Sequence, residues 1–357
     1  MTTTSSPSLT ITAARIEVPF TVTFATVTLR EPGPGEVLLD VLACGICGFD
    51  MEIAESLATN GPQAFGHEIC ARVRAVGPGV THVQPGDQVV LESGSFCCDC
   101  DLCRNGRVDL CNKGAGFWSG PAMGFAEAML VPARNVVPAR DIAPLAAVLA
   151  EPCGVAVDMV KVADIGLTDK VLLVGAGPIG LMALPLIRRA TAGPVVVANR
   201  STGKLEKARR LGADKVVSTQ DVSLPDLGTE YGGFDRILIT APPEVIPDCI
   251  IATAFGGYLV YIGSNFRSGG VIQLDTHALH FGKKQLRPSF ASPALYLPEA
   301  LTLLRTGIIP PKEIVSHVFP LSKLAEAIAT VRTQRDAVCK VAVVPDAAFT
   351  SPPGPLP

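Results

Sequence analysis

The sequence predicts an α/β protein in which a doubly wound parallel sheet is inserted in an irregular β-domain. From about residue 165 onward, strand-like and helix-like segments alternate, which is the rhythm of a parallel sheet. A glycine-rich turn, Gly175-Ala176-Gly177-Pro178-Ile179-Gly180, stands between a short apolar strand and an apolar helical segment. Ahead of both, residues 11 to 150 read as short β-type runs broken by Gly and Pro.

The β-type runs are Glu36 to Val41, Ala71 to Val76 and Gln88 to Leu91. In the alternating region, Val171 to Val174 is a strand and Ile179 to Arg189 a helix, which Pro185 is expected to bend. A strand at Val195 to Ala198, a helix at Gly203 to Leu211 and a strand at Lys215 to Ser218 follow, with further strands at Arg236 to Thr240 and Tyr258 to Ile262. Beyond residue 295 come helices at Pro298 to Arg305 and Lys323 to Arg332, then a strand at Lys340 to Val344. The Thr/Ser-rich start, residues 1 to 10, reads as a frayed terminus, and the Pro-rich end, 351 to 357, as disordered.

With 357 residues, 48% hydrophobic and 18% charged, the chain has material for about two domains with large cores. A formal net charge of −3 draws neither nucleic acid nor a membrane surface. No apolar run is long enough to span a bilayer, and no signal-peptide core follows the first residues. The expectation is a cytoplasmic protein whose partner is a small-molecule substrate, with no nucleic acid and no membrane.

Five of the eleven cysteines, Cys97, Cys98, Cys100, Cys103 and Cys111, crowd into one short stretch. Clustered thiols without a secretion signal point to metal ligands rather than disulfides. The spacing Cys97-x2-Cys100-x2-Cys103-x7-Cys111 wraps four thiolates around one tetrahedral ion, a closed structural zinc site in a lobe at about 95 to 113. Cys98 is the extra thiol, expected to point away.

In the glycine turn, Gly175 permits the tight bend, Gly177 lets backbone approach a pyrophosphate, and Gly180 allows close helix–strand packing; Pro178 and Ile179 open the helix. The next strand of such a unit normally ends in an acid that binds the adenosine ribose. Here it ends Val197-Ala198-Asn199-Arg200-Ser201, and the first acid beyond is Glu206. Arg200 offers a forked donor for a phosphate, with Ser201 and Lys204 in support, so NADP(H) is expected over NAD(H). The alternative is that Arg200 is a solvated arginine stacking on adenine. Gly263 is a further expected cofactor contact.

Taken together these motifs resemble the zinc-containing medium-chain dehydrogenase/reductase family. Cys44-Gly45-Ile46-Cys47-Gly48-Phe49-Asp50 resembles its catalytic-zinc loop, Gly66-His67-Glu68 its GHE motif and Pro85-Gly86-Asp87 its PGD turn. Glu151-Pro152 resembles the EPL-type motif of the sorbitol- and threonine-dehydrogenase-like branch. The resemblance implies a GroES-like domain (residues 1–154 and 296–357) and an inserted Rossmann domain (155–295). It implies a catalytic zinc on Cys47, His67 and Glu151, with Glu68 binding the metal or standing just behind it, and Asp50 orienting His67. Two zinc ions per chain follow. Cys44 and Cys153 read as packing thiols. A homodimer or homotetramer is expected, with Gly256 to Ser264 and Gln285 to Phe290 as the sheet edge that pairs across a two-fold axis.

One departure stands out. The family usually places Ser or Thr two residues after the ligand cysteine and often His three further on, as a proton relay; here those positions are Phe49 and Glu52. Glu52, Glu68 or a water then become the candidate proton carriers. The expected reaction is hydride transfer between NADP(H) and a functionalised secondary alcohol or ketone, such as a polyol or cyclitol. The alternatives are reduction of a C=N or C=C bond, or a non-catalytic dinucleotide- and zinc-binding protein.

Overall fold

The computed structural model describes residues 8–58, 60–263 and 270–349. The reading of residues 351 to 357 as disordered lies outside the described residues. That of 1 to 10 as frayed is corrected at its end, because Leu9 and Thr10 already belong to the first strand.

The chain opens with a hairpin, β1 (Leu9–Glu17) and β2 (Thr21–Leu29), paired antiparallel. It continues through β3 (Glu36–Gly45), the short helix α1 (Gly48–Glu52), β4 (Glu68–Val76), β5 (Gln88–Leu91), α2 (Asp101–Arg104), β6 (Ala128–Pro132), β7 (Val136–Pro138), α3 (Pro144–Ala147) and α4 (Ala150–Ala163). The alternating region holds β8 (Val171–Val174), α5 (Pro178–Ala190), β9 (Val195–Asn199), α6 (Thr202–Arg210), β10 (Lys215–Ser218), α7 (Leu224–Tyr231), β11 (Phe234–Ile239), α8 (Ile246–Ala252), β12 (Thr253–Tyr261), α9 (Thr276–Phe281) and β13 (Gln285–Pro288). Last come α10 (Leu297–Arg305), α11 (Pro311–Ile314), β14 (Val315–Pro320), α12 (Leu324–Thr333) and β15 (Lys340–Val344).

Strands β8 to β13 form a six-stranded sheet in the order β10-β9-β8-β11-β12-β13, parallel at every pairing. This is the doubly wound order, with its switch point between β8 and β11. β8 is buried along its whole length, as expected of a central strand covered on both faces. The predicted α/β class, a Rossmann sheet together with an irregular β-domain, is what the structure shows.

The second sheet runs β14-β15-β3-β4-β5-β7, with β6 also on β3. The end of the chain returns to complete it, β15 pairing with β3 at Ala342↔Gly45 and Val343↔Cys44. That pairing sets Lys340 beside the loop that follows β3.

The helix α5 runs on through Pro185, which is buried within it; packing of the apolar face outweighs the lost backbone bond. Two expectations change. A fourteen-residue helix, α4, stands where no helix was expected. Pro152, Gly154 and four valines lower its intrinsic propensity, but Pro152 sits in the first turn, where its missing N–H is harmless, and eight residues of the helix are buried. Gly256 to Ser264 is no sheet edge, since β12 is flanked by both β11 and β13; the edge on that side is β13, with β10 at the other, and Ser264 lies outside the described residues.

Candidate active site

Antiparallel pairing of β3 with β4 puts Gly45 opposite Glu68, so the residues just beyond, Cys47 and His67, meet at one end of the sheet. Only glycine fits at position 45, where a Cβ would stand 2.1 Å from Glu68 Oε2. Cys47 is the N-cap of α1. Asp50, buried to 1% exposure, knits both loops together: Oδ2 accepts the Cys47 N–H at 2.8 Å and Oδ1 the Gly66 N–H at 3.3 Å. Oδ1 also stands 3.6 Å from His67 Nδ1, which is buried and has no hydrogen-bond partner among the described residues.

The ligating atoms of Cys47, His67 and Glu68 all lie within 4.8 Å of one another. Glu151, in the first turn of α4, falls outside that set. Its Oε1 accepts from Ser93 Oγ at 3.1 Å. Lys340 Nζ donates to both oxygens of Glu68, at 2.6 and 2.7 Å, and to the Ile46 carbonyl at 3.0 Å.

The electrostatics describe a site built for a cation. Burial pushes the Cys47 thiol up, and burial likewise lifts the Glu151 carboxyl above its ordinary value. Burial works against a charged His67, yet the Cys47 and Asp50 charges outweigh it and hold the imidazolium well above its usual range. A metal ion binding to such groups competes with their protons. A thiol, an imidazole and carboxylates are the donor set that zinc takes, so these residues fit the ion.

Phe49 occupies the expected hydroxyl position and remains 37% exposed. Its ring centroid is 6.3 Å from His67 and 6.0 Å from Trp118, edge to face in both cases. Trp118 lies 5.1 Å from His67 and donates its indole N–H to the Ser93 carbonyl at 2.7 Å. Glu52 Oε2 is buried without a hydrogen-bond partner among the described residues.

In the thiol lobe, Cys97, Cys100, Cys103 and Cys111 gather with Sγ–Sγ separations of 3.6, 3.6, 3.9 and 4.0 Å. A tetrahedral ion with Zn–S near 2.3 Å has ligand edges of about 3.8 Å, so the four thiols fit zinc. The Asp99 and Cys100 N–H groups pull the Cys97 thiol down to about 6, whereas burial and neighbouring thiols push Cys103 up to about 12. Cys98 has φ +61° and is exposed, outside the four-thiol set. Cys44 and Cys153 are buried thiols; burial pushes Cys153 up to about 12.

The glycine loop fits a dinucleotide residue by residue. Gly175 has φ +106°, and a Cβ there would meet Thr240 Oγ1 at 2.5 Å. A Cβ on Gly180 would meet the Gly175 carbonyl at 2.2 Å, so helix and strand are too close for any side chain. Gly177, the N-cap of α5 with Pro178 and Ile179 following, faces open space, the room a pyrophosphate needs. Asn199 Oδ1 accepts the Ala176 N–H at 3.0 Å and its Nδ2 donates to the Ser201 carbonyl at 2.9 Å. Arg200 is exposed. Ser201 is the N-cap of α6 but makes no capping bond; its Oγ is buried and has no partner among the described residues. Burial lowers the pKa of Lys204. Gly263, just past β12, has φ +77°.

The structure adds Ser93, Trp118 and Lys340 to the centre. Two of the three carried a signal in the sequence: Trp118 is the chain's single tryptophan, and Lys340 is a charge opening an otherwise apolar strand. Ser93 carried none.

The comparisons with known proteins agree with this architecture. A family model described as an alcohol dehydrogenase GroES-like domain matches residues 33–141, and one described as a zinc-binding dehydrogenase matches residues 178–306. An L-threonine 3-dehydrogenase of Saccharopolyspora erythraea is 30% identical over 316 residues, covering 85% of this chain and 90% of its own. That of Pyrococcus abyssi is 39% identical over 248 residues, 66% of this chain and 71% of its own. Two solved structures superpose closely at 26% identity. One is an Escherichia coli CFT073 alcohol dehydrogenase (rspB) complexed with NADH, with TM-score 0.85 over 94% of this chain and 99% of that one. The other is a zinc-binding dehydrogenase of Sinorhizobium meliloti 1021 bound to NADP, with TM-score 0.83 over 94% and 100%. With the Rossmann sheet, the glycine loop and both ligand clusters in one chain, this protein is an oxidoreductase belonging to the zinc-containing medium-chain alcohol dehydrogenase/reductase family.

Proposed function

We propose that the chain transfers hydride between NADP(H) and a functionalised secondary alcohol or its ketone, a polyol- or cyclitol-like small molecule. The observation that carries this reading is the meeting of Cys47, His67 and Glu68 at the end of the β3–β4 pair, with Glu151 on the adjoining helix. Cys47, His67 and Glu151 hold the catalytic zinc, with Glu68 beside them; Cys97, Cys100, Cys103 and Cys111 hold the structural one. Zinc held at the first site would supply a Lewis acid for the substrate oxygen, and a nicotinamide bound at the glycine loop would supply the hydride chemistry. The protein's own groups do the positioning. Asp50 fixes the His67 ring, Lys340 balances Glu68, and Ser93 steers Glu151. The relatives named L-threonine 3-dehydrogenase support an alcohol carbon as the reacting centre. Phe49 favours a second reading, reduction of a C=N bond, which needs less help with an alcohol proton.

Metal analysis and a screen of NADPH oxidation against polyol-derived ketones, enones and cyclic imines test this directly. Two zinc ions per chain and turnover of a ketone or imine are expected. At most one zinc in chelator-free protein, or no turnover in any class, overturns it.

The preference for NADP(H) rests on the end of β9. Asn199 is engaged by the glycine loop and brings no charge to repel a phosphate. Ser201 Oγ lies uncommitted at the N-terminus of α6, where an anion is favoured, and Arg200 is exposed beside it. A charge-assisted bond of this kind contributes about 1.5–3 kcal/mol. Arg200→Ala should therefore raise the KM for NADPH about 10- to 100-fold and leave that for NADH nearly unchanged. A wild-type kcat/KM higher for NADH, or equal losses with both cofactors, rules the preference out.

A further inference from the structure

We infer that the substrate carries an apolar organic cation, an alkylated ammonium or an iminium, close to its reacting carbon, and that Phe49 and Trp118 recognise it. The inference rests on the proposed function only in placing the substrate at the Cys47–His67 centre.

Phe49 and Trp118 stand 6.0 Å apart with ring planes at 78°, which makes two walls of a corner rather than a flat stack. The His67 ring closes its base, 5.1 Å from Trp118 and 6.3 Å from Phe49. The indole's one donor is engaged by the Ser93 carbonyl, so Trp118, which stays 43% exposed, has no side-chain hydrogen bond left to offer. A half-exposed tryptophan beside a half-exposed phenylalanine is unfavourable to leave in water unless a ligand covers it. Aromatic faces set at an angle bind alkylated ammonium groups through the ring quadrupole.

Charge separates a cation from a neutral hydrocarbon as the occupant. Cys47, Asp50, Glu68 and Glu151 supply four potential negative charges around the centre, and Lys340 answers one of them. A divalent ion among them leaves a negative residue. Glu52 adds another carboxylate three residues after Phe49 on α1, and residues three apart share a helix face. Its Oε2 is buried with no partner among the described residues. An aromatic corner over a negative centre selects a cation, so among functionalised secondary alcohols it favours one that bears such a group over one that is neutral throughout.

Because Trp118 is the chain's only tryptophan, its emission reports occupancy of the corner without any turnover. The zinc-loaded protein is titrated with choline and with 3,3-dimethylbutan-1-ol, an uncharged molecule of the same shape. The expected result is a change in emission with choline at a Kd about tenfold lower than for the alcohol. In Phe49→Leu, checked for zinc content and circular dichroism, that ratio should fall below about threefold, since one of two aromatic walls is gone. Equal affinities in the wild type, no response to choline, or a ratio unchanged in Phe49→Leu overturns the inference. The titration reads binding alone, so its failure is distinct from a failure to oxidise NADPH.

Discussion

Cys100→Ala should unfold the thiol lobe, while Cys47→Ala should abolish turnover and leave the fold standing. Between residues 96 and 110 no residue is buried, so the lobe has no apolar core of its own, and α2 is a single turn. A segment of that size needs a covalent or metal staple, and structural zinc binding supplies on the order of 10–16 kcal/mol in isolated zinc peptides. Cys100 Sγ lies within 4.0 Å of two other thiols; removing it opens the tetrahedron. The expected signs are loss of one zinc, rapid proteolysis between residues 95 and 113, and a Tm lower by about 10 °C, corresponding to roughly 3–5 kcal/mol. At Cys47 the backbone N–H stays tied to Asp50, and Asp50 still holds Gly66, so loss of the thiol removes the proposed metal ligand without releasing either loop. Its Tm should stay within about 3 °C of wild type, with kcat at background. Equal loss of stability in the two variants would refute the division into a structural and a catalytic site.

The contrast between these two cysteines also shows what a linear sequence can convey. The thiol lobe was legible because its four thiols fall within one short stretch, and the glycine loop because strand, turn and helix are consecutive. β5, β8, β10 and β15 were read at their observed limits for the same reason: each is a short apolar run bounded by turn residues. The helix α4 was not legible. Its residues are poor helix formers, and its stability comes from burial in a core shared by the two sheets, a tertiary effect that overrides propensity. The partners of Glu68 and Glu151 were equally hidden. Lys340 is 272 residues from Glu68 and reaches it only because β15 returns to pair with β3. Ser93 meets Glu151 across 58 residues, and nothing in its neighbours marks it out. The residues that the structure gathers, Cys47, His67 and Glu68, lie in motifs readable in the sequence, whereas the groups that hold them in place depend on strand register and chain return.

Phe49→Ser should create activity on simple secondary alcohols that the wild-type protein turns over slowly. A phenyl ring neither donates nor accepts a proton, and here it stands beside His67 on the helix that Cys47 begins. Proton transfer by a positioned group contributes about two to four powers of ten in rate. A serine at this position puts a hydroxyl at the head of α1, three residues before Glu52, whose buried Oε2 has no partner among the described residues. Hydroxyl and carboxylate on one helix face then form a path for the proton. The gain should fall at or below the foot of that range, about one to two powers of ten in kcat with a simple secondary alcohol, because a carboxylate replaces the family's usual imidazole. The pH profile of kcat should shift with it, since a new group carries the proton. On a substrate bearing its own amine the same variant should lose ground, as one wall of the aromatic corner has gone. The two trends run in opposite directions, so an unspecific loss of structure cannot imitate them. If Phe49→Ser gains nothing on any simple alcohol and keeps the wild-type pH profile, the ring is a packing residue and the proton leaves through water.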